Sequence, residues 1–212
     1  MNFLTNFADE AVVLPLVVGI AVTLLALKWR RGAVAWLIAV GGTLAAMFVL
    51  KVVGIACGPD LLRTPSGHTA AAAVVCGGLA MILARGSARW VLLAALLAAV
   101  VIGASRLALG AHTVPEVILG GLVGASGAVL LARLAGRPPE GFRVGIVAGI
   151  AVMLLALFHG ERLPAETPIH GIAYQIAREL EVCRGSPAWR WENAAQQRPY
   201  VSSIRMISSS PR

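Results

Sequence analysis

Charge is scarce in this chain. Asp, Glu, Lys and Arg together make up 13% of its 212 residues, against roughly a quarter in an ordinary soluble domain. With 58% hydrophobic residues and a mean hydropathy of +0.81, that scarcity excludes a soluble globular domain and leaves an integral membrane protein. Acidic residues are the rarer sign, 10 against 18 basic, for a net charge of +8. The basic residues fall singly between apolar runs and form no stripe, which argues against nucleic acid as a partner. Membrane orientation, lipid head groups or an anionic substrate account for them better. Cysteine is also sparse: Cys57, Cys76 and Cys183 form no C-x-x-C pair and no metal-ligand spacing. Cys76 reads as a small packing residue within an apolar run, and a Cys57–Cys183 disulfide is left open. No repeat at a fixed period is present, and no low-complexity tract precedes the final serines.

What is there is a series of six apolar segments, Ala11–Leu27, Ala33–Val53, His68–Ala84, Trp90–Leu109, Val114–Leu131 and Val144–Phe158. A helix needs about 20 apolar residues to cross the hydrocarbon, with a lower limit near 17. The first segment is at that limit and the last is slightly short. The expected fold is all-α: a six-transmembrane-helix bundle over residues 1–160, followed by a polar tail, 161–212, partly helical and partly disordered. Gly120, Gly121 and Gly124 suit close contact between helices. Asp9 and Glu10 precede the first apolar run and Lys28, Arg30 and Arg31 follow it, the reverse of a signal peptide, so a retained first membrane helix is expected. In the tail, Ile169, Ile172, Ala173, Ile176, Ala177 and Leu180 recur at helical spacing, with Arg178, Glu179 and Glu181 largely off that face. An amphipathic helix lying on the membrane or on the bundle is expected there, with a lid over the site as the sharper alternative. Trp189 and Trp191 suit a membrane interface.

The loops set an orientation. One side collects Lys28, Arg30, Arg31, Arg85, Arg89, Arg133, Arg137 and Arg143, and the other only Lys51, Arg63 and Arg106. The positive-inside rule puts the first set in the cytoplasm. Arg162 and Arg178 of the tail pull weakly the other way.

The outward loops carry the chemistry. Pro65-Ser66-Gly67-His68 joins a polar loop to an apolar run, so Ser66 is expected to cap the helix and Pro65 to fit its first turn. His68 then sits among unpaired backbone N–H groups, an anion-favouring helix end. Lys51 closes the second segment, Ser105 and Arg106 lie near the end of the fourth, and His112 opens the fifth with Glu116 four residues on. On a helix that spacing shares a face, so Glu116 can hold one nitrogen of His112 and leave the other nucleophilic. Two histidines among cations suit phosphoryl transfer: one attacks phosphorus, the other protonates the leaving oxygen, and the cations neutralise the phosphate. A metal site built on the same histidines is the rival, opposed by those cations; no metal or cofactor is expected. His159 and His170 read as surface or interface residues, and Asp60 as a turn residue.

These residues resemble the type 2 phosphatidic acid phosphatase superfamily of membrane lipid phosphatases. Its pattern is lysine, six residues, arginine-proline; then Pro-Ser-Gly-His; then Ser-Arg, five residues, histidine, three residues, aspartate. Here it reads Lys51, six residues, Gly58-Pro59; Pro65-Ser66-Gly67-His68; and Ser105-Arg106, five residues, His112, three residues, Glu116. The resemblance implies that His112 is the nucleophile forming a phosphohistidine, His68 the acid, and Glu116 the residue orienting His112. Lys51, Ser66, Gly67 and Arg106 would bind the phosphate. It implies a membrane lipid phosphate or pyrophosphate as substrate. It also implies an integral protein of a bacterial inner membrane, with the site facing the periplasm or outside. The oligomeric state stays open.

Two departures stand out. Glu116 replaces aspartate, keeping the carboxylate, and Gly58 replaces a phosphate-clamping arginine, a gap that Arg63 in the same loop is a candidate to fill. A lipid phosphotransferase of the same fold, and a non-catalytic lipid-binding protein with a decayed site, are the alternatives.

Overall fold

The computed structural model describes residues 9–57, 64–84, 87–161, 169, 171–172 and 175. Among them are six helices and no strand: α1 Glu10–Ala26, α2 Arg30–Cys57, α3 Gly67–Leu83, α4 Ala88–Ala108, α5 Val114–Ala135 and α6 Val144–Phe158. The protein is therefore all-α, as its apolar runs dictate.

Local chemistry fixes the helix ends that matter. Asp9 caps α1, its Oδ1 accepting the Ala11 N–H at 3.0 Å. Ser66 caps α3 as expected, while Pro65 lies before the cap rather than in the first turn. Lys51 does not close α2: the apolar run Val52–Cys57 carries the helix on, leaving Lys51 buried inside it. His112 does not open α5 either, because the helix starts after its cap at Thr113. At the far end of α5, Gly136 takes a positive φ of 66°, and Arg31 Nε donates to the Leu134 carbonyl at 2.7 Å. A cation thus meets the carbonyl end of that helix, where the dipole favours it.

Helix α3 is the hub, packing against α2, α4, α5 and α6, while α1 packs on α2 and α6. Its buried face is small, Ala70 to Ala73 with Gly77 and Gly78, and small residues on α5 answer it. A Cβ on Gly124 would strike the Ala70 carbonyl oxygen, and one on Gly77 would meet Ala128 Cβ at 2.6 Å and Ala95 Cβ at 3.0 Å. Backbones this close gain van der Waals contact that larger side chains would forbid. Trp36 fills the space between α1 and α2, its indole N–H donating to the Val17 carbonyl at 3.0 Å.

The outside of the bundle is as apolar as the inside. Val18, Val22, Leu96, Val100, Ile118 and Leu122 are each more than half exposed. A contiguous apolar exterior on that scale is not a surface for water. Helices α2, α4 and α5 are long and apolar enough to cross a membrane; α1, α3 and α6 are apolar but shorter, and α6 has only 15 residues. Of the six expected spans, three helices among the described residues meet the length and composition for crossing. Of the expected amphipathic tail helix, Ile169 packs against Val52 and Ile55, and Ile172 is exposed. Ala173, Ile176, Ala177, Leu180 and both tail tryptophans lie outside the described residues. So do Cys183, Asp60, His170, Gly58 and Arg63.

Candidate active site

One end of the bundle gathers the motif residues from four helices. Lys51 comes from α2, Ser66, Gly67 and His68 from the start of α3, Arg106 from the last turn of α4, and His112 and Glu116 from the entry to α5. At the opposite end lie Arg31 against Leu134 and Trp29 edge-on to Phe142, with ring centroids 5.0 Å apart.

Glu116 is the node. It is 4% exposed, and its two carboxylate oxygens face different partners. Oε1 accepts from the Thr64 N–H at 2.8 Å and the Thr64 hydroxyl at 3.1 Å. Oε2 accepts from the Thr113 N–H at 2.9 Å and lies 3.3 Å from His112 Nδ1. The backbone carbonyl of Glu116 also accepts from the Ser66 N–H at 3.1 Å. One residue therefore caps α5, orients His112 and ties the second motif to the third. The His112–Glu116 contact is a product of the capping box, in which a residue at the third helical position reaches back to its own cap. It is not the shared helical face that the spacing suggested.

With Nδ1 of His112 held by a carboxylate, Nε2 is the nitrogen free for a reaction. Burial lowers the His112 pKa from its ordinary value, and the nearby Arg106 and then Lys51 charges add to that against the pull of Glu116. The neutral, nucleophilic imidazole is thereby favoured at neutral pH.

Lys51 reaches Gly67. A Cβ there would stand 3.6 Å from both Lys51 Cε and Nζ. That is ordinary contact, so packing does not demand the glycine; the start of α3 lies beside the Lys51 side chain. Ser66 is fully buried, with its Oγ 2.8 Å from Thr69 Oγ1 and 3.4 Å from the Thr69 N–H. Its side chain is thus taken up by the cap. His68 faces Asp9, Nε2 to Oδ2 at 3.8 Å. Arg106 and Lys51 act electrostatically on both histidines. Among the described residues no group of three or more His, Cys, Asp or Glu is placed to hold a metal ion.

Three contributors escaped the sequence reading. Thr113 was signalled by the Thr-x-x-Glu capping pattern, and Asp9 by its place before an apolar run. No local pattern pairs Asp9 with His68 or Thr64 with Glu116.

The family model described as "PAP2 superfamily" matches residues 11–138, which take in all three motifs. The chain belongs to the PAP2 superfamily. PAP2 membership supports phosphatase-type chemistry, at the level of a phosphoric ester hydrolase, in a membrane protein. An "Uncharacterized 22.5 kDa protein in cps region" from Klebsiella pneumoniae is similar, 29% identical over 190 residues, covering 82% of this chain and 90% of that one. No solved structure matches.

The candidate site also includes one close approach between α5 and the start of α3. A Cβ on Gly120 would collide with the Ser66 carbonyl oxygen. Gly120→Ala must force α5 and the Ser66–His68 turn apart. Overpacking of this kind costs about 1–3 kcal/mol, and a displacement near 1 Å can cost about 10²-fold in rate. A fall in kcat well beyond any loss of melting temperature is expected; unchanged kcat would show that the turn tolerates the shift.

Proposed function

We propose that this protein is an integral membrane lipid phosphatase that hydrolyses a lipid phosphomonoester or pyrophosphate through a phosphohistidine, at the outer membrane face. The observation that carries the reading is the buried His112–Glu116 pair, linked through Thr64 and Ser66 to His68 and flanked by Lys51 and Arg106.

In the first step the Nε2 lone pair of His112 attacks phosphorus, a P–N bond forms and the bond to the leaving oxygen breaks. His68 supplies the proton that this oxygen takes up. Lys51, Arg106 and the Gly67 N–H neutralise the charge on the equatorial oxygens, and Ser66 acts by fixing the turn. In the second step water attacks phosphorus, the P–N bond breaks and His68 takes the proton from water. Arg63, in the same loop as Gly58, remains a candidate for the phosphate clamp that the glycine cannot supply.

A lipid substrate is supported by an apolar cavity of about 420 Å³ that begins one helical turn from the site. Ala71, Ala72 and Val75 of α3 line it, with Val13 and Leu16 of α1 and Val101 and Ile102 of α4. Cys76 sits in its wall. An alkyl or prenyl chain there would leave its phosphate among the cations. The six-span reading is supported by the side-by-side packing of the short helices with the long ones. At about 1.5 Å per residue, α1 and α3, at 17 residues each, sit at the lower limit for crossing. The outward orientation is supported by the arginines at the end opposite the site.

Purified protein given a panel of lipid phosphates and pyrophosphates, with EDTA present, is expected to release inorganic phosphate from at least one of them. Binding of those lipids with no release from any would sink the enzyme reading and favour a lipid-binding protein. Transfer to an added alcohol in preference to water would make it a phosphotransferase.

A further inference from the structure

We propose that Asp9, which lies outside all three motifs, is a positioning residue for His68, orienting its imidazole and favouring the form that carries the proton to be donated. The proposal rests on the phosphohistidine reading above.

The geometry divides the Asp9 carboxylate between two tasks. Oδ1 accepts the Ala11 N–H at 3.0 Å, which fixes the rotation of the group. Oδ2 is thereby turned towards His68 and stands 3.8 Å from Nε2, with both side chains close to nine-tenths buried. That distance is longer than a hydrogen bond and within ion-pair range, so the contact is Coulombic. Screening at such burial is weak.

The surroundings give the contact its importance. The other groups that act on His68 are Arg106, Lys51 and His112, two cations and a second imidazole. The two cations, Arg106 and Lys51, oppose a positive charge on the ring, whereas Asp9 favours it. A cluster built to hold phosphate would otherwise work against the proton that His68 has to give. Asp9 itself neither gives nor takes a proton. It stabilises the charged ring before donation, and again after His68 has accepted the proton of water. Below this pair, α1 and α3 line the apolar cavity, Val13 and Leu16 on one helix and Ala71, Ala72 and Val75 on the other. The Asp9–His68 contact links the starts of the two helices that line this cavity.

The rival account is a helix cap with an accidental neighbour. Asparagine separates the two, since it caps a helix about as well as aspartate but carries no charge. The experiment uses the full chain, purified, as Asp9→Asn, His68→Ala and the double variant. The substrates are an alkyl phosphate, with a poor leaving group, and p-nitrophenyl phosphate, with a good one. Asp9→Asn is expected to lower kcat on the alkyl phosphate by about 10-fold or more, within the range general acid catalysis contributes. It should largely spare the aryl phosphate and leave KM and the melting temperature unchanged. The double variant should fall no further than His68→Ala alone. Equal loss on both substrates, or none, while His68→Ala keeps a leaving-group bias would overturn the proposal and leave Asp9 as a cap. If His68→Ala itself shows no such bias, the acid role of His68 fails, and this proposal with it.

Discussion

His112→Ala is expected to lower turnover by roughly 10⁴-fold or more, the scale seen when a covalent nucleophile is removed from a preorganised site. The reason is geometric. Nδ1 of His112 is fixed 3.3 Å from Glu116 Oε2, and its side chain is only 5% exposed, which leaves a single nitrogen available in a single orientation. The other imidazole of the site is placed differently, with His68 Nε2 facing Asp9. It cannot simply take over attack. Lys51, Arg106 and the start of α3 would still bind the phosphate, so KM should change far less than kcat, and the residual rate would come from charge stabilisation alone. Steady-state kinetics on one lipid phosphate and one aryl phosphate, with melting checked, test this. Turnover within a few-fold of wild type would remove His112 from the chemistry.

Glu116→Gln is expected to be the next most damaging change, with kcat falling by about 10²- to 10⁴-fold. The upper figure is that of an amide replacing the orienting carboxylate of a histidine triad. Both oxygens of Glu116 accept hydrogen bonds from backbone N–H groups, Thr64 on one side and Thr113 on the other. An amide has only one oxygen. If its NH₂ faces Thr113, it also faces His112 Nδ1, which must then accept, and the proton moves to the nitrogen that should attack. If the NH₂ faces Thr64, the tautomer survives, but it confronts the Thr64 N–H donor, and only the Ser66 N–H on the backbone carbonyl of residue 116 still ties the second motif to the third. Either orientation costs activity. Glu116→Asp, which restores the family residue, gives a sharper reading: one methylene shorter, it cannot keep all of these contacts without backbone movement. Full activity in Glu116→Gln would mean that His112 needs no carboxylate.

The meeting of these side chains was legible in the sequence, because residues drawn to one end of a helical bundle recur near the ends of successive apolar runs. Lys51, Ser66, Gly67, His68, Arg106, His112 and Glu116 do converge on one end of the bundle. The cap at Ser66 and the all-α fold followed from serine before an apolar run and from hydropathy. What escaped has a common cause. Thr64 reaches Glu116 across 52 positions, and Asp9 meets His68 from a different helix; such contacts are set by packing and carry no local period. Lys51 reads as the end of a helix, yet α2 runs on through apolar residues to Cys57, where Val52 and Ile55 pack against Ile169. The same blindness affected His112, since a histidine four residues before a glutamate reads as helical whether or not the helix has begun.

The central claim is a covalent phosphoryl group on one nitrogen. The direct measurement is to mix the protein with a ³²P-labelled lipid phosphate, quench during turnover, and map the label by peptide. The account predicts label on the peptide containing His112, stable to alkali and lost in mild acid, as a phosphorus–nitrogen bond requires, and absent from His112→Ala. Label that survives acid, or that maps to another residue, would contradict it.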